Sequence, residues 1–314
     1  MTAASKYIPV RINTLRADST PGFEIFVKVG DKFVHYFKSV DSIDPVRVKK
    51  LQEGKIKKLF IPFEAEDAYL NYLDTGLAGL ASPTQSNDQK AAIAHDTLIT
   101  AAENAERSVE NENSFRRTEG QFQKIIDFLM SDHRAIQAIL KQSGASLDNF
   151  QHAANVTTLA LSLCSRTNLT DPQDLLQMGF AGLLHDLGKV RLTFDPLKPK
   201  AQMTAEECKA YERHPEDSVA MLAGKPFITP RVLGLIQDHE EVGDGKGYPE
   251  KKDISKLPRL YQIFNLANAF DRYCMEQQKL PMIAIDPFFE AQGDLFNAEL
   301  ITVLASVLNP NTRE

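Results

Sequence analysis

Cysteine is scarce in this chain: 314 residues hold three, Cys164, Cys208 and Cys274. They are far apart and odd in number, which argues against a disulfide framework and a CxxC zinc site. Reduced thiols in a cytoplasmic protein are the simple expectation. A basic surplus is also missing. The 36 Lys and Arg are outnumbered by 42 Asp and Glu, for a net charge of -6. That disfavours a polymeric nucleic acid as partner, but leaves room for a small phosphate ligand held by a few local cations. No apolar run approaches the roughly 18 residues needed to span a bilayer, so no membrane contact is expected. The opening stretch, MTAASKYIPVRINTLR, lacks the h-region of a signal peptide. No repeat or low-complexity tract is present. What remains is 43% hydrophobic and 25% charged, the profile of a soluble globular protein of bacterial type.

Hydropathy patterning divides the chain. FEIFVKVGDKFVHYF holds two alternating apolar runs around Gly30-Asp31, a hairpin signal. A helix from about Pro45, a turn at Gly54, a strand KKLFIPF and a short helix follow. Residues 1–80 are therefore expected to form a small α+β regulatory or interaction domain. GLAGLASPTQSNDQ marks its boundary, and residues 81–114 read as a largely helical linker. Its amphipathic pattern runs unbroken through Phe115 and would suit dimerisation. EGQFQKIIDFLMSDHRAIQAILKQS reads as one helix closing at Gly144. Helices are then expected near 147–166, 173–187, 204–223, 230–240, 258–277 and 296–308. The fold class is mainly α: an all-α bundle over 115–314 behind a small α+β domain.

Seven histidines occur, and four of them share a setting. His152, His185, His214 and His239 each lie near a helix end or beside other polar residues. His185 ends the apolar run LLQMGFAGLL and is followed by Asp186, Gly188 and Lys189. His214 precedes a proline. His239 ends an apolar helix before the glycine-rich stretch GDGKGYP. A lone histidine in such a place is usually a satisfied core residue. Several in one bundle point to inward-facing metal ligands.

The order of these motifs resembles the HD-GYP family, a branch of the HD phosphohydrolases. HDLGK is followed about 60 residues later by DGKGYP, with LANAFD beyond, and the likeness covers about residues 115 to 275. It implies an HD-type helical bundle that hydrolyses cyclic di-GMP to linear pGpG, and onward to GMP in some members. The attacking group would be hydroxide held by two divalent metals, iron first and manganese as the alternative. By the same resemblance Asp186 bridges the metals, His152 and His185 serve one, and His214 and His239 the other. Lys189 joins Asp186 as a catalytic residue through contact with the substrate phosphate or the bridging solvent. Lys198, Gly247, Tyr248, Pro249 and Arg272 are expected to shape the substrate site. The GYP loop and the N-terminal domain are the surfaces expected to meet protein partners.

Three positions depart from the family pattern. Glu240 stands where a second histidine is usual, and Asn268 stands where a ligand aspartate is usual. Both are kept as metal ligands, on the expectation that an anion gained at 240 offsets one lost at 268. Asp148, one turn before His152, is a candidate additional ligand. These departures raise an alternative reading, a catalytically weak cyclic di-GMP receptor or interaction scaffold on the same fold.

Overall fold

The structure is a computed structural model. It describes residues 6–54, 56, 58–82, 85–105, 109–131, 133–143 and 148–309. The chain divides into two compact units, Met1–Thr100 and Ala101–Glu314.

In the first unit, β1 (Tyr7–Arg11), β2 (Ile25–Val29), β3 (Lys32–Phe37) and β4 (Lys58–Pro62) form an antiparallel sheet of order β1-β4-β2-β3. Gly30, at φ +59°, makes the β2–β3 turn in a conformation that favours glycine. Alternation puts Ile8, Val10, Ile25, Val27, Leu59 and Ile61 into one core. The helices α1 (Pro45–Glu53) and α2 (Glu66–Ala78) add Leu51, Tyr69, Tyr72 and Leu73 to it.

The second unit is helical: α4 (Glu112–Ser131), α5 (His133–Ser143), α6 (Asn149–Arg166), α7 (Pro172–Leu184), α8 (Ala205–Glu212), α9 (His214–Leu222), α10 (Pro230–Asp238), α11 (Arg259–Gln277), α12 (Pro281–Gln292) and α13 (Ala298–Leu308). The long helix α6 is buried from Gln151 to Cys164, and α5, α7, α11 and α13 pack around it. Burial on every side is tolerable because its hydroxyls are satisfied locally. Thr157 and Thr158 donate to Ala153 and Ala154 carbonyls at 2.8 and 2.9 Å. Gly182 lets α7 approach closely, since a Cβ there would lie 2.3 Å from Thr157 Oγ1 and 3.0 Å from its Cα. Gly182→Ala should therefore cost about 1–3 kcal/mol by overpacking, read as a lower midpoint in urea unfolding.

Several expected boundaries shift, each for a local reason. The helix expected to run through Phe115 is two. α3 (Asn87–Glu103) stops, and α4 starts where Asn111 Oδ1 accepts from the Asn113 and Ser114 amides at 2.9 and 3.2 Å. The helix read across 119–143 is likewise two, α4 and α5; Asp132 between them and the expected closure at Gly144 lie outside the described residues. The helix expected over 173–187 ends at Leu184 and passes into a 3-10 turn, Leu187–Arg191. The one expected over 204–223 is α8 and α9, separated at Arg213 because Pro215 has no amide to continue the ladder. Helix α12 was not foreseen. Pro281 occupies its first turn, where no amide is needed, and Pro287 is accommodated inside.

Candidate metal and phosphate site

The four histidines converge from helix ends. An α-helix leaves its last carbonyls without intrahelical donors, and three of these carbonyls orient imidazoles. His185 Nδ1 lies 2.8 Å from Gly182 O, in the last turn of α7. His239 Nδ1 lies 2.6 Å from Ile236 O, in the last turn of α10. His214 Nδ1 lies 2.7 Å from Tyr211 O, in the last turn of α8. Tyr211 O is the acceptor that an amide at position 215 would have taken, and proline has none to offer. A carbonyl only accepts, so each Nδ1 carries the proton and each Nε2 is left with a lone pair. His152 is oriented differently. Its Nδ1 lies 2.7 Å from Asp271 Oδ2, and Asn155 Nδ2 donates to Asp271 Oδ1 at 2.9 Å.

The Nε2 atoms close around Asp186, whose two oxygens face different pairs. Oδ2 is 3.8 Å from His152 Nε2 and 3.4 Å from His185 Nε2. Oδ1 is 3.2 Å from His214 Nε2 and 3.8 Å from His239 Nε2. His214 and His239 bring their Nε2 atoms to 2.9 Å of each other. Two groups, His152–His185–Asp186 and Asp186–His214–His239, each hold their donor atoms within 4.8 Å. His185 Nε2 and Asp186 Oδ1 are buried without a hydrogen-bond partner among the described residues. Lone pairs facing a carboxylate in a dry interior are costly unless a cation lies between them. This donor set, imidazole and carboxylate without thiolate, fits divalent iron, manganese or zinc.

Electrostatics agree with that inventory. Burial pushes His214 down to about 4 and lowers His185, so both stay neutral, the form a metal requires. Burial alone would raise Asp186, but the Lys189 ammonium outweighs it and holds the carboxyl well below the usual carboxylate range. Lys189 Nζ sits 2.6 Å from Asp186 Oδ2, itself buried. Ser218 locks the turn carrying Asp186 against α9: its hydroxyl donates to His185 O and accepts from Gly188 N, both at 2.7 Å.

The two substituted positions are both inside the site. Asn268 Oδ1 lies 3.0 Å from His152 Nε2, and its amide donates to His239 O at 3.1 Å. Glu240 Oε1 lies 3.7 Å from His214 Nε2 and 3.5 Å from His239 Nε2. Its carboxylate is gripped by both terminal nitrogens of Arg272, with Nη1 to Oε2 at 2.7 Å. Burial opposes its charge, yet the guanidinium holds it well below the usual range. The expected offset between positions 240 and 268 therefore fails as charge accounting, because the anion gained at 240 arrives with its own cation. Asp148 is committed elsewhere: its Oδ1 accepts from the Phe150 and Gln151 amides as the N-cap of α6.

Beside the cluster a cavity of about 380 Å³ is lined by His152, Lys189, Lys198, Lys200, Tyr211 and Arg272. The counter-charges Asp186, Glu240, Glu207 and Glu212 pair with these cations at 2.6 Å for Lys189 and Lys198 and 2.7 Å for both Lys200 and the Arg272 Nη1 contact. The Tyr248 ring lies 5.0 Å from Lys200 Nζ, and burial pushes its phenol well above the ordinary value. Gly247 is placed by packing, since a Cβ would meet Glu240 O and Glu241 Cα, both at 2.5 Å. Pro249 follows Tyr248 through a cis peptide. Asp271, Asn155 and Ser218 were missed in the sequence. Asp271 lies one turn from Asn268 and Asn155 one turn from His152, and those i,i+3 spacings were the available signal.

Residues 134–286 match the family model described as HD domain. The chain is 28% identical over 138 residues to the cyclic di-GMP phosphodiesterase PA4108 of Pseudomonas aeruginosa, covering 43% of this chain and 33% of that protein. It is 24% identical over 230 residues to the cyclic di-GMP phosphodiesterase response regulator RpfG of Xanthomonas campestris, covering 73% of this chain and 54% of that one. The chain thus spans about a third and about half of these relatives. Its fold matches Bd1817, an HDG"Y"P protein from Bdellovibrio bacteriovorus, with TM-score 0.80 and 24% identity over 96% of this chain and 99% of that one. Among the described residues no helix is long and apolar enough to cross a membrane.

Proposed function

We propose that this protein hydrolyses cyclic di-GMP with two divalent metal ions, iron or manganese; residues 134–286 match the HD domain model, and the curated relatives it resembles are cyclic di-GMP phosphodiesterases. The observation that carries the reading is Asp186, with one oxygen toward His152 and His185 and the other toward His214 and His239. When bound, two such ions draw charge from a phosphodiester and make water nucleophilic near neutral pH. The protein's own part is to hold four Nε2 lone pairs inward through Nδ1 hydrogen bonds and to keep Asp186 ionised. Asn268 adds a neutral carbonyl oxygen and Glu240 an arginine-shared carboxylate at the rim. Lys189, at the junction of cluster and cavity, meets the phosphate nearest the metals. Arg272, Lys198 and Lys200 line the cavity where a second phosphate would sit, each beside its own carboxylate. Linear pGpG is the expected first product.

Turnover tests the reading. Protein loaded anaerobically with Fe(II) or Mn(II) should convert cyclic di-GMP to pGpG on chromatography. Bound metal and bound cyclic di-GMP without product would favour the receptor reading, which the neutral Asn268 supports.

Asp271 is expected to matter without touching substrate. A carboxylate on Nδ1 makes His152 a stronger donor and fixes its ring. Asp271→Asn should weaken metal affinity by about 10–100-fold, measured by competition with a chromogenic chelator.

A further inference from the structure

Helix α11 lines the cavity beside the metal cluster with more than Arg272, since Met275 and Glu276 reach it as well. Asn268, Arg272 and Glu276 are spaced four residues apart, so they share one face of the helix. Each stands about 6 Å farther along the axis than the last. Asn268 is in the cluster, 3.0 Å from His152 Nε2. Arg272 comes next. Each of its terminal nitrogens makes one contact with Glu240, which leaves further N–H donors on the guanidinium. Glu276 comes last and is exposed where it lines the cavity. Among the described residues no hydrogen bond or ion pair engages its side chain. The neighbouring carboxylates Glu207, Glu212 and Glu240 each hold a cation. Leu197, Pro199, Met203 and Met275 give the same cavity apolar walls.

We infer that Glu276 selects the base, accepting from N1–H and the 2-amino group of a guanine whose phosphate lies toward Arg272 and the metal cluster. The inference rests on the phosphodiester reading of that cluster. The order along α11 is metal site, guanidinium, carboxylate. A guanylate has the matching order of phosphate, sugar and donor edge. A carboxylate accepts at two oxygens, and its complement is an edge with two adjacent N–H donors. Guanine has that edge; adenine, cytosine and uracil each interrupt theirs with an acceptor. Apolar walls suit the base plane, and methionine adapts its shape to what it covers.

Mononucleotides test the assignment because a phosphodiesterase does not consume them. Binding of 5′-GMP and 5′-IMP to the manganese-loaded full chain would be measured by titration calorimetry. IMP keeps O6 and N1–H but lacks the 2-amino group. The wild type should prefer GMP by about fivefold, the scale of one net hydrogen bond. Glu276→Gln should bring that preference to within about twofold, because an amide keeps a single acceptor oxygen. Glu290→Gln makes the same change of charge at an exposed position on α12 that does not line the cavity, and it should leave the ratio as in the wild type. Equal affinities in the wild type, an unchanged ratio in Glu276→Gln, or the same collapse in Glu290→Gln would each overturn the base assignment. Turnover of cyclic di-GMP is scored separately. Hydrolysis without GMP preference sinks the base assignment alone, and GMP preference without hydrolysis sinks the hydrolase reading alone.

Discussion

Asp186→Asn should abolish metal binding and lower turnover of cyclic di-GMP by at least about 1000-fold, equivalent to about 4 kcal/mol of barrier. The size follows from its position. Among the described residues no other side chain presents one oxygen to each histidine pair, so one substitution damages both metal positions. Asparagine replaces one acceptor by an NH₂ donor, which would face lone pairs that need a cation. In metal-free protein that donor is welcome, because it satisfies an Nε2 now left against an anion. The buried Lys189 ammonium, 2.6 Å from Asp186 Oδ2 in the wild type, loses its carboxylate partner at the same time, so the thermal midpoint of the variant in chelator should fall below that of metal-free wild type, while its metal content falls. A variant that keeps two metals per chain, or that loses activity only through unfolding, would contradict this account of Asp186.

Arg272→Met is the second large effect. Arg272 binds Glu240 with two nitrogens, and Glu240 is 6% exposed at its side chain. Removing the cation leaves a buried carboxylate beside Asp186 with its charge uncompensated. Loss of one partner of a buried pair costs about 3–5 kcal/mol, and the lower end applies because the guanidinium keeps a quarter of its exposure. Glu240→Gln together with Arg272→Met should recover most of the loss, since the orphaned charge is gone. Urea unfolding of the wild type, both single variants and the double closes this cycle. Additive effects would show that the pair is not coupled.

The two motifs that placed the site were legible because each is local. HDLGK lies at a helix end, and GDGKGYP is a loop whose glycines permit close packing. The contributions that organise the site are non-local, and these were opaque. Asp271 reaches His152 across 119 positions, and nothing in LANAFD says which helix its last residue will face. The pairing of Glu240 with Arg272 spans 32 positions, so Glu240 read as an added anion until its partner was seen. Pro215 shows the opposite case. It looked like a disturbance of a helix, and its missing amide is what frees the Tyr211 carbonyl for His214. Helix ends, not helix faces, set the histidine geometry, and sequence periodicity reports faces best.

Anomalous diffraction from crystals of manganese-loaded protein, collected above the manganese edge, locates the metals about Asp186. Two peaks per chain are expected, one between Asp186 Oδ2 and the His152–His185 pair and one between Asp186 Oδ1 and the His214–His239 pair. A single peak, or none at Asp186 in protein that chemical analysis shows to carry manganese, would contradict the two-metal site.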